Sequence, residues 1–136
     1  MITIHATTVA IGTRAVLIEG PSGAGKSDLA LRLIDRGAVL VADDRTVLVR
    51  EGERLVASPP PTIAGLIEVR GIGVVPLPHV GAARVVLAVD LSAKVARMPE
   101  PATRTYADVA LPLIALDPFE SSAPLKVELA IKVLGL

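Results

Sequence analysis

The sequence predicts an α/β domain built on a mixed β-sheet with few helices. Three observations carry this. Runs rich in Val, Ile, Leu and Thr recur at strand length along most of the chain, and only two segments show helical spacing. The strand runs are joined largely by glycine-containing turns of hairpin length, which argues against repeated βαβ units. With 136 residues, 51% of them apolar, the chain is long enough for one cored domain and too short for two, so residues 1–136 read as a single domain.

The elements follow in order. ITIHATTVAI (2–11) and RAVLIE (14–19) are β-branched runs that meet at Gly12-Thr13, which predicts a hairpin. SDLALRLID (27–35) sets Leu29, Leu31, Leu33 and Ile34 on a short helix that Gly37 ends. AVLVA (38–42) is an apolar strand closing on Asp43-Asp44, and residues 46–58 form a second hairpin around Gly52. Pro59, Pro60 and Pro61 cannot feed a ladder and mark a loop or an edge. Residues 66–80, LIEVRGIGVVPLPHV, read as a strand broken by two glycines and followed by a proline-interrupted edge. ARVVLAVDL (83–91) is the strongest strand, 92–105 a polar, basic, flexible loop, and 105–117 a strand again. The tail predicts a helix with Ser122 as N-cap, Pro124 in its first turn and Gly135 at its end.

Composition excludes several function classes. Fourteen basic residues balance fourteen acidic ones, so no global field draws the protein to nucleic acid or anionic lipid. Tyr106 and Phe119 are the only aromatics, a poor provision for stacking single-stranded bases. No apolar run approaches the roughly 18 residues of a membrane span. A signal peptide is not expected, because the first residues alternate and lack a basic stretch followed by a continuous apolar block. The absence of cysteine rules out disulfides and thiolate metal sites and fits a cytoplasmic protein.

The most specific signal is GPSGAGKS, Gly20 to Ser27, which fits G-x-x-x-x-G-K-[ST] at every fixed position with a strand before it and a helix after. Glycines let backbone N–H groups turn inward, and the helix start offers unpaired donors and the positive end of its dipole. Lys26 is placed for the outer phosphates, and the Ser27 hydroxyl for Mg²⁺. Such a loop needs a carboxylate close by. Two apolar runs end in aspartate, one at Asp43-Asp44 and one at Asp90, and pattern alone permits either. The double aspartate has the better claim, since one carboxylate orients a ligand while its neighbour acts as base. By spacing alone Glu68 reads as the outward face of an alternating strand, Arg97 as a solvated surface arginine, and His5 as a structural strand residue.

GPSGAGKSD, then RGAVLVADD, then PPPTIAGLIEVRGIGVV, in that order and at these intervals, resemble the catalytic domain of HPr kinase/phosphorylase. That enzyme phosphorylates a serine of HPr, the small phosphocarrier protein of the bacterial sugar phosphotransferase system. The resemblance runs from His5 to about Lys132 and is weak beyond residue 92. It implies a P-loop kinase domain with a sheet like that of phosphoenolpyruvate carboxykinase, in the short α-proteobacterial form that lacks the N-terminal domain. It also implies ATP with Mg²⁺ as cofactors, pyrophosphate being an alternative donor, and HPr as partner. The family assembles as hexamers, and for a chain without the N-terminal domain both a homo-oligomer and a monomer stay open.

Residue by residue, the resemblance makes His5 catalytic and makes Gly20, Pro21, Ser22, Gly23, Ala24, Gly25, Lys26 and Ser27 the nucleotide loop. Asp44 becomes the group that takes the serine proton. Asp43 orients it or the metal, and Glu68 is the second magnesium-linked acid. Arg97 matches the family's catalytic arginine, with Arg104 as the alternative. Two departures stand out. Asp28 occupies the position of a family glutamate, and PLKVELAI keeps Lys126 but not the Gly-Arg-Asn tied to dephosphorylation, so the phosphorylase half lacks its signature. Beside an HPr serine kinase, two other readings stay open: a P-loop kinase or phosphatase for a small metabolite, and a non-catalytic nucleotide sensor. A sensor has no need of His5, Asp44 and Glu68 together with Lys26.

Overall fold

The structure is a computed structural model that describes all residues, Met1–Leu136. Its ten strands are β1 (Ile2–Ile11), β2 (Arg14–Glu19), β3 (Val39–Ala42), β4 (Arg45–Glu51), β5 (Arg54–Ser58), β6 (Leu66–Val69), β7 (Gly73–Pro76), β8 (Ala83–Asp90), β9 (Ala102–Tyr106) and β10 (Val109–Ala115). Two α-helices, α1 (Lys26–Asp35) and α2 (Ala123–Val133), complete the domain, with a short 3₁₀ turn at Pro61–Ile63. Neither helix is long and apolar enough to cross a membrane.

The main sheet is mixed and curls on itself. Its order is β2-β1-β4-β5-β8-β10-β9, with β3 on β1, and β2 also pairs β8, so β1, β2, β8, β5 and β4 close into a ring. Only β2–β8 and β8–β10 are parallel. The period-two alternation sorts residues between two cores. Val16 and Ile18 of β2 join Leu29 and Leu33 of α1, Val127 and Ile131 of α2, and Leu87 and Val89 of β8. Ala15 and Leu17, one residue out of phase, join Ala6, Ala10, Ala57, Ala88, Leu48 and Leu55. The second core is rich in alanine, and small side chains let strands of a tightly curled sheet approach one another.

Three expectations need correction. Residues 66–76 are not one interrupted strand: Gly71 and Gly73, both at positive φ, turn the chain into a separate two-stranded sheet of β6 and β7. The expected 92–105 loop ends early, because residues 102–106 form β9 against β10. The expected 105–117 strand is broken by Ala107 and Asp108, at φ 48° and 64°. Positive φ at both central residues of a two-residue loop is the type I′ hairpin arrangement, which favours Asn-Gly or Asp-Gly. Ala-Asp lacks the glycine that signals it. Ser122 does take the N-cap position of α2, but without a side-chain cap bond.

Candidate active site

The phosphate loop forms between β2 and α1 as its residues dictate. Gly23 and Gly25 sit at φ 84° and 98°, where a Cβ is disfavoured. A Cβ on Gly25 would also lie 3.2 Å from the Pro118 ring, so the loop is moulded against the segment after β10. Lys26 opens α1 almost fully buried, and its ammonium donates to the carbonyls of Gly20 (2.7 Å) and Pro21 (3.1 Å). An ammonium has three protons, so one remains for a phosphate oxygen.

The acids converge on this loop. The end of β3 delivers Asp43, which is buried and accepts three hydrogen bonds. Its Oδ1 accepts the hydroxyls of Ser27 (2.6 Å) and Thr7 (3.0 Å), and its Oδ2 accepts the backbone N–H of Glu68 (2.9 Å). One carboxylate thus ties β1, β3, α1 and β6 together. Asp44 follows at φ 64°, in a three-residue turn closed by the Arg45 N–H on the Asp43 carbonyl (2.7 Å). Turns closed in this way around a positive φ are rare and strained, and strained residues concentrate at functional sites. The turn is braced by the Asp44 N–H donating to Thr7 Oγ1 (3.1 Å). It swings the Asp44 carboxylate out of the core, about half exposed, to 3.6 Å from His5 Nδ1. That distance is within ion-pair reach but too long for a hydrogen bond.

A cavity of about 480 Å³ is lined by Ser22, Gly23, Gly25, Lys26 and Ser27 on one side and by Asp44, Glu68 and Arg70 on the other. Asp43 bonds the Ser27 hydroxyl directly and the Glu68 backbone N–H, and Ser27 and Glu68 both line the cavity. No group of three or more His, Asp or Glu forms a ready-made cage. This donor set suits Mg²⁺, which prefers hard oxygen ligands and is typically held by one or two carboxylates together with phosphates and water.

Asp90 resolves differently. At the end of β8, its Oδ1 accepts Ser92 N–H (2.8 Å), Ser92 Oγ (2.7 Å) and Ala93 N–H (3.2 Å), while Oδ2 accepts Arg104 Nη2 (2.9 Å). Arg104 also pairs with Glu19, the residue before Gly20. Both oxygens of Asp90 are engaged, and the residue anchors the start of the 91–101 loop. Burial works against its ionisation, but the Ser92 hydroxyl and amide and the Arg104 guanidinium outweigh it and hold the carboxyl below its usual value of about 3.8. A carboxyl depressed by folding contributes stability above its unfolded pKa and loses it as pH falls through the folded value. The stability gap between the wild type and Asp90→Asn is therefore expected to be constant near neutrality and to shrink below about pH 3.8 in denaturant titrations. A gap independent of pH down to 2 would show that the ion pair contributes nothing.

His5, Asp43, Asp44, Glu68 and the loop residues Gly20 to Ser27 thus come together. Arg97 does not: it lies in the exposed 91–101 segment, outside the cavity lining, and its alternative Arg104 is held in ion pairs. The arginine at the cavity wall is Arg70, two residues after Glu68. Thr7, fully buried, was missed; a threonine in an alternating strand looks like any β-branched residue until its partner is known.

Comparison with known proteins follows the same lines. The family model described as "HPr Serine kinase C-terminal domain" matches residues 1–103. An HPr kinase/phosphorylase of Enterococcus faecalis is 45% identical over 73 residues, covering 53% of this chain and 24% of the relative. One of Caldicellulosiruptor bescii is 47% identical over 74 residues, 54% of this chain and 24% of the relative. The matched region is thus only about a quarter of these relatives' length. The solved structure of the HPr(Ser) kinase/phosphatase from Coxiella burnetii superposes with a TM-score of 0.85 at 28% identity, covering 99% of this chain and 97% of that one.

Proposed function

The chain belongs to the HPr serine kinase C-terminal domain family, and on that premise we propose that residues 1–136 act as a single catalytic domain that moves the terminal phosphoryl group of ATP to a serine hydroxyl of HPr. The observation that carries the proposal is Asp44. It is a strained, half-exposed carboxylate facing the same cavity as Lys26 and Ser27.

Phosphoryl transfer asks for positioning and charge neutralisation more than for covalent chemistry. The loop amides and the Lys26 ammonium bind and orient the phosphates. Asp44 accepts the proton of the serine hydroxyl as the new O–P bond forms, and the bond to the leaving diphosphate breaks with its electron pair on the diphosphate oxygen. His5 stands beside the Asp44 carboxylate, with its Nδ1 3.6 Å away. Arg70 adds positive charge at the rim. Arg97 would have to come in with its loop to join them. Ser27, Asp43 and Glu68 are the residues that would hold Mg²⁺, which supplies charge neutralisation across the phosphate oxygens when bound.

The deciding experiment is the intact mass of purified HPr after incubation with this protein, Mg²⁺ and ATP. The expected result is a gain of one phosphoryl group on a serine. Nucleotide binding with no gain on HPr would overturn the proposal in favour of a metabolite kinase or a sensor. The lost Gly-Arg-Asn leads us to expect little reversal when inorganic phosphate is then added.

A further inference from the structure

The phosphate loop accounts for the phosphates of a nucleotide, and what would hold the base is a separate question that rests on the proposed reading of the site. β2, β8 and β10 run parallel, so their carboxyl ends lie along one edge of the sheet. Three segments leave that edge: the phosphate loop after β2, the 91–101 segment after β8, and residues 116–122 after β10. In α/β sheets ligands bind in the crevice outside the carboxyl ends of parallel strands.

The third segment carries Phe119, the only phenylalanine in the chain, 77% exposed and part of the cavity wall. Its ring edge lies 3.7 Å from where a Cβ on Gly25 would be, so it abuts the phosphate loop itself. The exposure is not that of a loose turn. Arg32, from α1, donates to the carbonyls of Pro118 and Glu120 on either side of the ring. The Phe119 N–H donates to Asp117 Oδ1 (2.9 Å), and Glu120 pairs with Lys126 (3.1 Å). Tyr106, the other aromatic, is buried.

We propose that Phe119 is the stacking platform for the base of the nucleoside triphosphate. An apolar ring held rigidly in water beside a phosphate grip gains by covering its face with another ring, and stacking on an aromatic side chain contributes strongly to base binding. The 116–122 turn thereby becomes the base subsite, and the contact between Pro118 and Gly25 fixes its distance from the phosphates.

The test compares ATP with inorganic tripolyphosphate, which has no base, both with Mg²⁺ in calorimetric titrations of the full chain. Phe119→Ala is expected to weaken ATP by about tenfold and leave tripolyphosphate unchanged. Phe119→Trp, in a chain with no other tryptophan, is expected to keep ATP affinity and to change its fluorescence with ATP but not with tripolyphosphate. Unchanged ATP affinity in Phe119→Ala overturns the assignment. Equal weakening of both ligands also overturns it, because the ring would then only be shaping the loop. A wild type that binds neither ligand overturns the phosphate-site reading itself, and the base subsite with it.

Discussion

Asp44→Asn is expected to lower the rate of HPr phosphorylation by roughly two to four orders of magnitude, the usual contribution of a positioned base, while leaving ATP affinity within about twofold of wild type. The choice of asparagine matters. Asp44 occupies the left-handed region at φ 64°, and aspartate and asparagine are the residues with a Cβ that tolerate it best. Its backbone N–H donates to Thr7 Oγ1, a bond that survives the change. Asparagine therefore keeps the turn, the size and the hydrogen bond, and removes the carboxylate charge and with it the ability to accept a proton. Asp44→Ala would add backbone strain to the loss of the base and confuse the two. The measurement is single-turnover mass spectrometry of HPr beside calorimetry with ATP. Transfer within about tenfold of wild type would show that Asp44 is not the base.

How much of this was legible beforehand varies along the chain for physical reasons. The phosphate loop is local: its glycines, lysine and serine must sit at fixed spacing, so eight residues announce it. The convergence of Asp43, Thr7 and Glu68 is not local. Asp43 reaches Thr7 across 36 positions and the Glu68 amide across 25, and only the folded sheet makes them neighbours. Pattern could offer Asp43-Asp44 and Asp90 as rivals but could not separate them. That took Arg104, whose strand β9 went unpredicted because the Ala107-Asp108 turn lacks a glycine. Phe119 was equally opaque. Its segment lies beyond the 1–103 stretch that the family model matches, and composition had already counted the scarcity of aromatics against base stacking. One well-placed ring is enough for a single bound base.

Lys26→Met is expected to have the larger effect on binding and a comparable effect on rate. Methionine preserves the unbranched apolar stem, so the nearly buried position stays filled and the fold is expected to survive. What disappears is the ammonium and its three protons. A hydrogen bond to a charged group contributes about 1.5–3 kcal/mol, which corresponds to a loss of roughly ten- to a hundredfold in ATP affinity. The loss in transfer should be greater than the loss in binding, because negative charge shifts between phosphate oxygens in the transition state and removing one preorganised donor typically costs a further 10²–10³ in rate. Lys26→Arg should not rescue it. The planar guanidinium is wider than an ammonium, and the lysine tip is confined between the Gly20 and Pro21 carbonyls, 2.7 and 3.1 Å away. Thermal unfolding near that of wild type, weakened ATP binding and transfer down by at least three orders of magnitude form the expected pattern. A Lys26→Met protein that folds and still phosphorylates HPr at a substantial rate would mean that the loop grips something other than the transferred phosphate.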